Sequence, residues 1–141
     1  MPDVDWLDRG CHFQPHAFLG LHQSPEGPVI RLWRPGATQI HLEVLGSIVP
    51  AKLLDERGLF VYFPSTPIQP TDYRIYHKNG LLSFDPYTFW PQVGEMDQFL
   101  FNKGCHYELY HVLGAHIKQV DAISGVSFAV WAPNAKGVSL V

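Results

Sequence analysis

A chain of 141 residues with 46% hydrophobic residues is long enough for one packed domain and too apolar to remain disordered. The formal net charge is −3, and the ten Lys and Arg residues are scattered, whereas a nucleic-acid partner needs clustered basic residues. No apolar run reaches the length of a membrane span, the N-terminus lacks an apolar signal core, and two Cys do not make a disulfide framework. We therefore expect a cytoplasmic protein that binds neither nucleic acid nor membrane.

Short strands separated by turn residues follow one another from residue 28 to residue 84. Residues 29–33 are predicted to form a strand that Pro35 ends, and residues 40–44 alternate between apolar and polar side chains. Residues 51–63 indicate two strands around a turn at 55–58, and an Asn79–Gly80 pair between apolar runs is a strong hairpin signal. About six such strands predict an all-β fold, an immunoglobulin-like antiparallel β-sandwich of roughly 100 residues.

One twelve-residue pattern occurs twice, at Cys11–His22 and at Cys105–His116. Further matching segments follow at 27–44 and 125–141, where Trp131 repeats Trp33. Equivalent residues lie 94 positions apart in the first pair of segments and 98 apart in the second, so the second copy has four additional residues, which we place in a loop. The repeat predicts two copies of one fold unit, and Trp33 and Trp131 are predicted to be core residues.

The second copy is shorter than the first. Residues 117–141 hold two predicted strands, the second reaching Val141, and two strands cannot bury a sandwich core. We expect a sandwich over residues 1–94, a linker and the entry segment of the second copy over 95–116, and the incomplete start of a second sandwich over 117–141. The chain is then expected to be a piece of a longer protein.

The repeated Cys and His residues have a second interpretation, as metal ligands. Each copy offers one Cys and three His, in the sets Cys11, His12, His16, His22 and Cys105, His106, His111, His116. Structural zinc sites usually contain a Cys pair two to four residues apart, which neither copy has. We therefore predict no metal and no other cofactor, and expect His22 and His116 to satisfy backbone groups instead.

The acidic residues show no pattern of a catalytic pair. They lie at the N-terminus and in predicted turns and helix starts, where caps and solvated turns explain them. No glycine-rich phosphate loop and no nucleophile elbow is present. We predict that this chain contains no catalytic residue.

Residues 85–116 resemble the linker between the first and second domains of bacterial 1,4-α-glucan (glycogen) branching enzymes. The resemblance rests on the segments Asp85–Phe89, Leu100–Phe101, Leu109–Tyr110 and Leu113–His116, with Gly94 and Asp97 between the first two. The segments Pro15–His16, Leu19–Gly20 and Leu32–Pro35 are also similar to the family's first domain. The similarity covers about residues 9–141.

This resemblance implies an N-terminal sandwich, then a carbohydrate-binding sandwich, then a (β/α)₈ barrel. The barrel holds an Asp–Glu pair that carries out retaining transfer of an α-1,4-glucan segment to a sugar 6-hydroxyl. None of those carboxylates lies in this chain, which is expected to be inactive alone. The implied partners are α-1,4-glucan or glycogen, bound weakly, and the carbohydrate-binding and barrel domains of the same protein.

The resemblance gives the aromatic residues Tyr87, Phe89 and Trp90 two interpretations. They lie in a Pro-bounded segment after the last predicted strand, where rings could stack on glucose or pack the linker against the domain. They are the candidate glucan-binding residues. Two other functions stay open: a stand-alone or degenerate glucan-binding or interaction module, and the N-terminal part of a related glycogen debranching enzyme.

Overall fold

A computed structural model describes residues 1–141, and antiparallel β-structure dominates it. The chain divides into two compact units, Met1–Trp90 and Pro91–Val141. The first begins with helix α1 (Pro2–Asp8) and continues with eight strands: β1 Gly20–Ser24, β2 Gly27–Trp33, β3 His41–Val44, β4 Ser47–Pro50, β5 Lys52–Asp55, β6 Leu59–Tyr62, β7 Tyr73–Tyr76 and β8 Leu82–Ser83. No helix has the length and apolar character needed to cross a membrane.

The first unit is an antiparallel sandwich of two four-stranded sheets. One sheet has the order β1-β2-β6-β5 and the other the order β4-β3-β7-β8. Alternation along β3 buries Leu42 and Val44, while His41 and Glu43 remain partly exposed. The main core joins inward side chains of both sheets: Ile30, Leu32 and Phe60 from one, and Leu42, Val44, Tyr73 and Ile75 from the other. The predicted sandwich is confirmed.

Helix α1 closes a second, smaller apolar cluster. Its Val4 is fully buried with Leu19 and with Leu59 of β6. A seven-residue helix is marginal alone, so its position depends on tertiary contacts. Asp3 Oδ1 lies 3.0 Å from Nε2 of His12, which fixes the helix against the turn that follows it.

The second unit contains helix α2 (Glu95–Asn102) and the hairpin β9 (Gly114–Val120) and β10 (Ile123–Ala129). Its first half repeats the first unit in structure as well as sequence. Asp97 Oδ1 lies 2.9 Å from Nε2 of His106, as Asp3 does from His12. Gly20 and Gly114 have φ values of +87° and +91° at equivalent positions. The predicted repeat of one fold unit is confirmed over these segments.

The four additional residues of the second copy lie in the hairpin, so their predicted placement in a loop was wrong. In the first unit Ser24 pairs with Gly27, and in the second Val120 pairs with Ile123. Counted from the equivalent pairs Gly20–Arg31 and Gly114–Ala129 to the turn, each side of the second hairpin has seven paired residues where the first has five. The turn of the second hairpin has two residues, Asp121 and Ala122, both with positive φ.

Two further predictions about the second copy were also wrong. Residues 138–141 form no strand, and Trp131 is 59% exposed and lies outside any strand. The physical reason is that the second unit lacks the neighbouring strands with which these residues would have to pair. In the first unit β3 pairs with β4 and β7, and β2 pairs with β6, whereas β9 and β10 are the only strands of the second unit.

Candidate functional site

The candidate residues Tyr87, Phe89 and Trp90 follow β8, and their side chains do not form one continuous surface. Pro86–Thr88 form a single 3₁₀ turn. Tyr87 is half-buried against the cluster of Val4, Leu19 and Leu59, while Trp90 is 62% exposed. Phe89 turns toward Phe84, and the two ring centroids lie 5.6 Å apart.

His16 joins two of the candidates into one aromatic group. Its ring meets that of Tyr87 edge-on at a centroid distance of 5.0 Å, and that of Trp90 at 5.9 Å with a tilt of 33°. His16 lies in the 3₁₀ turn Pro15–Ala17, which precedes β1. From the sequence, His16 was a candidate metal ligand and part of the family resemblance, and its ring partners were not predicted. Tyr87, His16 and Trp90 are called the aromatic group below.

A buried carboxylate holds the turn that presents Tyr87. Asp85 is fully buried, accepts a 2.9 Å hydrogen bond from the Tyr73 hydroxyl, and lies 3.6 Å from the guanidinium of Arg34. Its Oδ1 also accepts a 3.5 Å hydrogen bond from the backbone N–H of Tyr87. Asp85 was predicted to be a cap or a solvated turn residue. The predicted cap is confirmed. The predicted solvent exposure was wrong, because the side chain faces the buried Tyr73.

Burial sets the proton affinities in this network. Desolvation raises the pKa of Asp85 above its usual range, although the Tyr73 hydrogen bond and the charge of Arg34 both act against the rise. Burial, together with the nearby charge of Asp85, also raises the pKa of Tyr73. The hydroxyl of Tyr73 therefore stays protonated and serves as a donor to Asp85 over the ordinary pH range.

Gly20 permits close packing beneath the aromatic group. Its φ of +87° is in the left-handed region that favours glycine. A Cβ at this position would lie 2.9 Å from the carbonyl oxygen of Tyr87. The start of β1 and the turn carrying Tyr87 are thus in direct backbone contact.

The repeated histidines have hydrogen-bond partners within the fold. Nε2 of His22 lies 2.8 Å from the carbonyl oxygen of Leu19, and Nε2 of His116 lies 2.9 Å from that of Leu113. This confirms that both side chains satisfy backbone groups. No cluster of three or more His, Cys, Asp or Glu side chains with the geometry of a metal site occurs in residues 1–141.

The aromatic group presents ring faces and a hydrogen-bonding edge at the surface of the first unit. Trp90 is 62% exposed, and the His16 imidazole beside it has two ring nitrogens that can take part in hydrogen bonds. Such a pair suits a ligand with an apolar face and polar rims, which describes a pyranose ring. Nothing in the group resembles an activated nucleophile or a pair of carboxylates.

Comparison with known proteins identifies the class of protein. Residues 2–87 match the family model of the alpha-1,4-glucan branching enzyme GlgB, N-terminal domain. That match covers more than half of the chain, which therefore belongs to this family.

Curated relatives extend the similarity through the second unit. The chain is 56% identical over 131 residues to the 1,4-alpha-glucan branching enzyme GlgB of Protochlamydia amoebophila, covering 92% of this chain and 18% of that protein. It is 45% identical over 141 residues to the enzyme of the same name from Chlamydia abortus, covering 99% of this chain and 19% of that protein. The chain thus spans about a fifth of the length of these relatives.

Proposed function

We propose that this chain is the N-terminal accessory region of a glycogen branching enzyme. The observation that carries the proposal is the match of residues 2–87 to the GlgB N-terminal domain, which covers almost all of the first unit. The complete enzyme would transfer an α-1,4-glucan segment to a 6-hydroxyl and so form an α-1,6 branch. The match to branching enzymes supports this function over debranching and over a stand-alone module.

The chemistry would be located outside these residues. Retaining glucan transfer needs two carboxyl groups about 5 Å apart at the scissile bond. The first unit instead buries Asp85 under a turn, and pairs Asp5 and Asp55 with Arg57. In the proposed enzyme, residues 1–141 act by holding substrate and by contacting other domains of the same polypeptide.

We propose the aromatic group as a weak α-glucan contact of the first unit. Trp90 would stack on the apolar face of a glucose residue, with the His16 edge available to a sugar hydroxyl. Phe89 is placed outside the contact because its ring packs on Phe84. A single stacking ring contributes on the order of 1 kcal/mol, so maltooligosaccharide binding should be millimolar or weaker.

Such a contact would determine which glucan chains are transferred. A long glucan held at the first unit lies at a fixed distance from a distant transfer site, so short and long chains are discriminated without any change in the chemical step. We propose that the first unit sets transferred chain length in this way. The second unit would form the start of a carbohydrate-binding sandwich.

A sugar titration of the 141-residue chain tests the contact. Maltoheptaose is added to ¹⁵N-labelled protein, and the indole N–H signals of the four tryptophans are followed by NMR. We expect the Trp90 indole signal and the backbone amide signal of Tyr87 to shift together with millimolar or weaker affinity, and the Tyr87 shift to vanish in Trp90→Ala. The matched control is Phe13→Ala, which removes another ring of the same unit that is 97% exposed. A Trp90 signal that does not move, or binding lost equally in both variants, would contradict the contact.

A further inference from the structure

A histidine of the first unit connects helix α1 to the turn that carries His16. Nε2 of His12 lies 3.0 Å from Oδ1 of Asp3 in α1. Nδ1 of the same ring accepts a 3.1 Å hydrogen bond from the backbone N–H of Gln14. The side chain of His12 is only 9% exposed. One nearly buried ring thus joins two separate elements of the fold.

The two partners of His12 define its protonation state and its tautomer. A backbone N–H can only donate, so Nδ1 carries a lone pair, and an ionised carboxylate can only accept, so Nε2 carries the proton. The imidazole of His12 is therefore neutral in this arrangement. A proton added at Nδ1 would keep the bond to Asp3 and strengthen it by charge, but it would set two donors against each other at Gln14.

Gln14 transmits this constraint to His16. It directly precedes the 3₁₀ turn Pro15–Ala17, and its carbonyl accepts a 3.0 Å hydrogen bond from the N–H of the last residue of that turn. His16 is the middle residue of the turn, with its ring centroid 5.0 Å from that of Tyr87 and 5.9 Å from that of Trp90. The geometry of the aromatic group therefore depends on a hydrogen bond that a single proton can break.

Aromatic and charged groups surround the ring of His12. The indole of Trp6 meets it edge-on at a centroid distance of 5.8 Å, and the ring of Phe18 stacks on it at 6.5 Å. The charged groups are Asp3 from α1 and Arg31 from β2, whose guanidinium lies 4.8 Å from the centroid of Phe18. Asp3 favours a proton on His12 and Arg31 disfavours it, so the two charges oppose each other.

The second unit repeats the acid–histidine pair without the bond to the following turn. Nε2 of His106 lies 2.9 Å from Oδ1 of Asp97, and the His106 side chain is 7% exposed. Nδ1 of His106 is buried and has no hydrogen-bond partner, although Glu108 is the counterpart of Gln14. The pair is thus common to both units, whereas the bond from the ring to the following segment occurs in the unit that forms the aromatic group.

We propose that His12 is a positioning residue for the glucan contact. As a neutral imidazole it holds the turn of His16 through the N–H of Gln14, and on protonation it releases that turn. The inference rests on the proposed function in assigning the aromatic group to glucan. Acid then weakens the contact without unfolding the first unit, because the bond between His12 and Asp3, and with it the attachment of α1, is retained.

NMR of the 141-residue chain tests the link before any sugar is added. Long-range ¹H–¹⁵N spectra at neutral pH should show the ring proton of His12 on Nε2. As the pH falls, the amide proton of Gln14 should move upfield with the same midpoint as the His12 ring nitrogens, because it loses its hydrogen bond. The matched control is the second unit, where the amide proton of Glu108 should move far less as His106 titrates.

Two substitutions separate the two bonds of the ring. In His12→Asn the side-chain oxygen can accept from Gln14 as Nδ1 does, and it does not titrate. In His12→Gln the longer amide can reach Asp3 but leaves the N–H of Gln14 without an acceptor. The Tyr87 amide shift with maltoheptaose near pH 7 should show wild-type affinity for His12→Asn and at least about threefold weaker affinity for His12→Gln. Near pH 5, His12→Asn should bind maltoheptaose more tightly than the wild type does.

A ring proton on Nδ1 of His12 at neutral pH would overturn the proposal. So would a Gln14 amide that responds to its histidine no more than Glu108 does, a measurement that needs no variant. Sugar binding by His12→Gln that equals wild-type binding refutes this inference and leaves the glucan contact intact. A wild-type chain with the expected ring state and Gln14 response, but with no maltoheptaose shift, refutes the glucan contact and leaves the link between α1 and the turn of His16 intact.

Discussion

The hydroxyl of Tyr73 donates a 2.9 Å hydrogen bond to Oδ2 of Asp85, and both side chains are completely buried. This pair links the core strand β7 to the turn that carries Tyr87. It therefore connects the packing of the sandwich to the position of the aromatic group.

Removing the Tyr73 hydroxyl should destabilise the first unit without creating a cavity. In Tyr73→Phe the buried Asp85 loses a donor, which costs about 1–3 kcal/mol of unfolding free energy. Urea unfolding followed by far-UV circular dichroism measures the loss. Tyr76→Phe on the same strand is the control, since Tyr76 is only partly buried, and should change stability by less than about 0.5 kcal/mol. Equal stabilities for the two variants would argue against the buried pair.

Asp85 should make stability depend on pH in an unusual direction. Its pKa is raised by burial, so the folded protein binds more protons than the unfolded protein between the two pKa values. The contribution of Asp85 is therefore fully present below the unfolded pKa near 3.8 and declines as pH rises through the higher folded pKa. We expect the stability of the wild type relative to Asp85→Asn to fall as pH rises from about 4. Urea unfolding at closely spaced pH values measures this difference, and a difference that grows with pH would show that the Arg34 charge dominates instead.

The two equivalent glycines should respond differently to alanine. Both have positive φ, but a Cβ on Gly20 would lie 2.9 Å from the Tyr87 carbonyl, whereas one on Gly114 would meet nothing within 4 Å. Gly114→Ala should cost only the backbone strain of roughly 1 kcal/mol, and Gly20→Ala should cost more and displace Tyr87. Thermal unfolding together with the indole NMR signal of Trp90 provides the measurement. Equal losses of stability in Gly20→Ala and Gly114→Ala would mean that Gly20 is not in tight contact with Tyr87.

Leu59 should be a sensitive position of the smaller apolar cluster. Leu59→Ala leaves a cavity beneath Val4 and Leu19, which costs about 2–5 kcal/mol. Leu54→Ala on the neighbouring strand is the control, because Leu54 is 48% exposed and its loss should cost far less. Chemical denaturation of both variants checks the difference, and a small effect of Leu59→Ala would mean that α1 does not pack as described.

Most of the first unit could be predicted from the sequence because its signals are local. Pro35 ends β2, the alternation in residues 41–44 defines β3, and Asn79–Gly80 forms the turn before β8. The strand β4 was missed because its hairpin turn uses Leu45 at φ +49°, a residue that does not normally signal such a turn. Helix α1 was missed because its acidic residues suggested a solvated segment, although Pro2 and two Asp in the first turn are helix-start signals.

The candidate site was harder to predict because its contacts are distant in sequence. Asp85 meets Arg34 and Tyr73, and His16 meets Tyr87, only after the sandwich has formed. Trp131 was predicted to be buried because it repeats Trp33, yet burial depends on a neighbouring strand and not on local pattern. The repeat itself was reliable, because it fixes local hydrogen bonds such as those of His22 and His116.

The central claim, that the first unit sets the length of transferred glucan through the aromatic group, is tested most directly by chain-length analysis of branched product. The complete enzyme, its His16→Ala/Trp90→Ala double variant and its Phe13→Ala control each act on amylose, and the product is debranched and its chains are sized. We expect the double variant to keep branching while its distribution of chain lengths shifts, and the control to match the wild type. Identical distributions for all three enzymes at unchanged rate would contradict the claim.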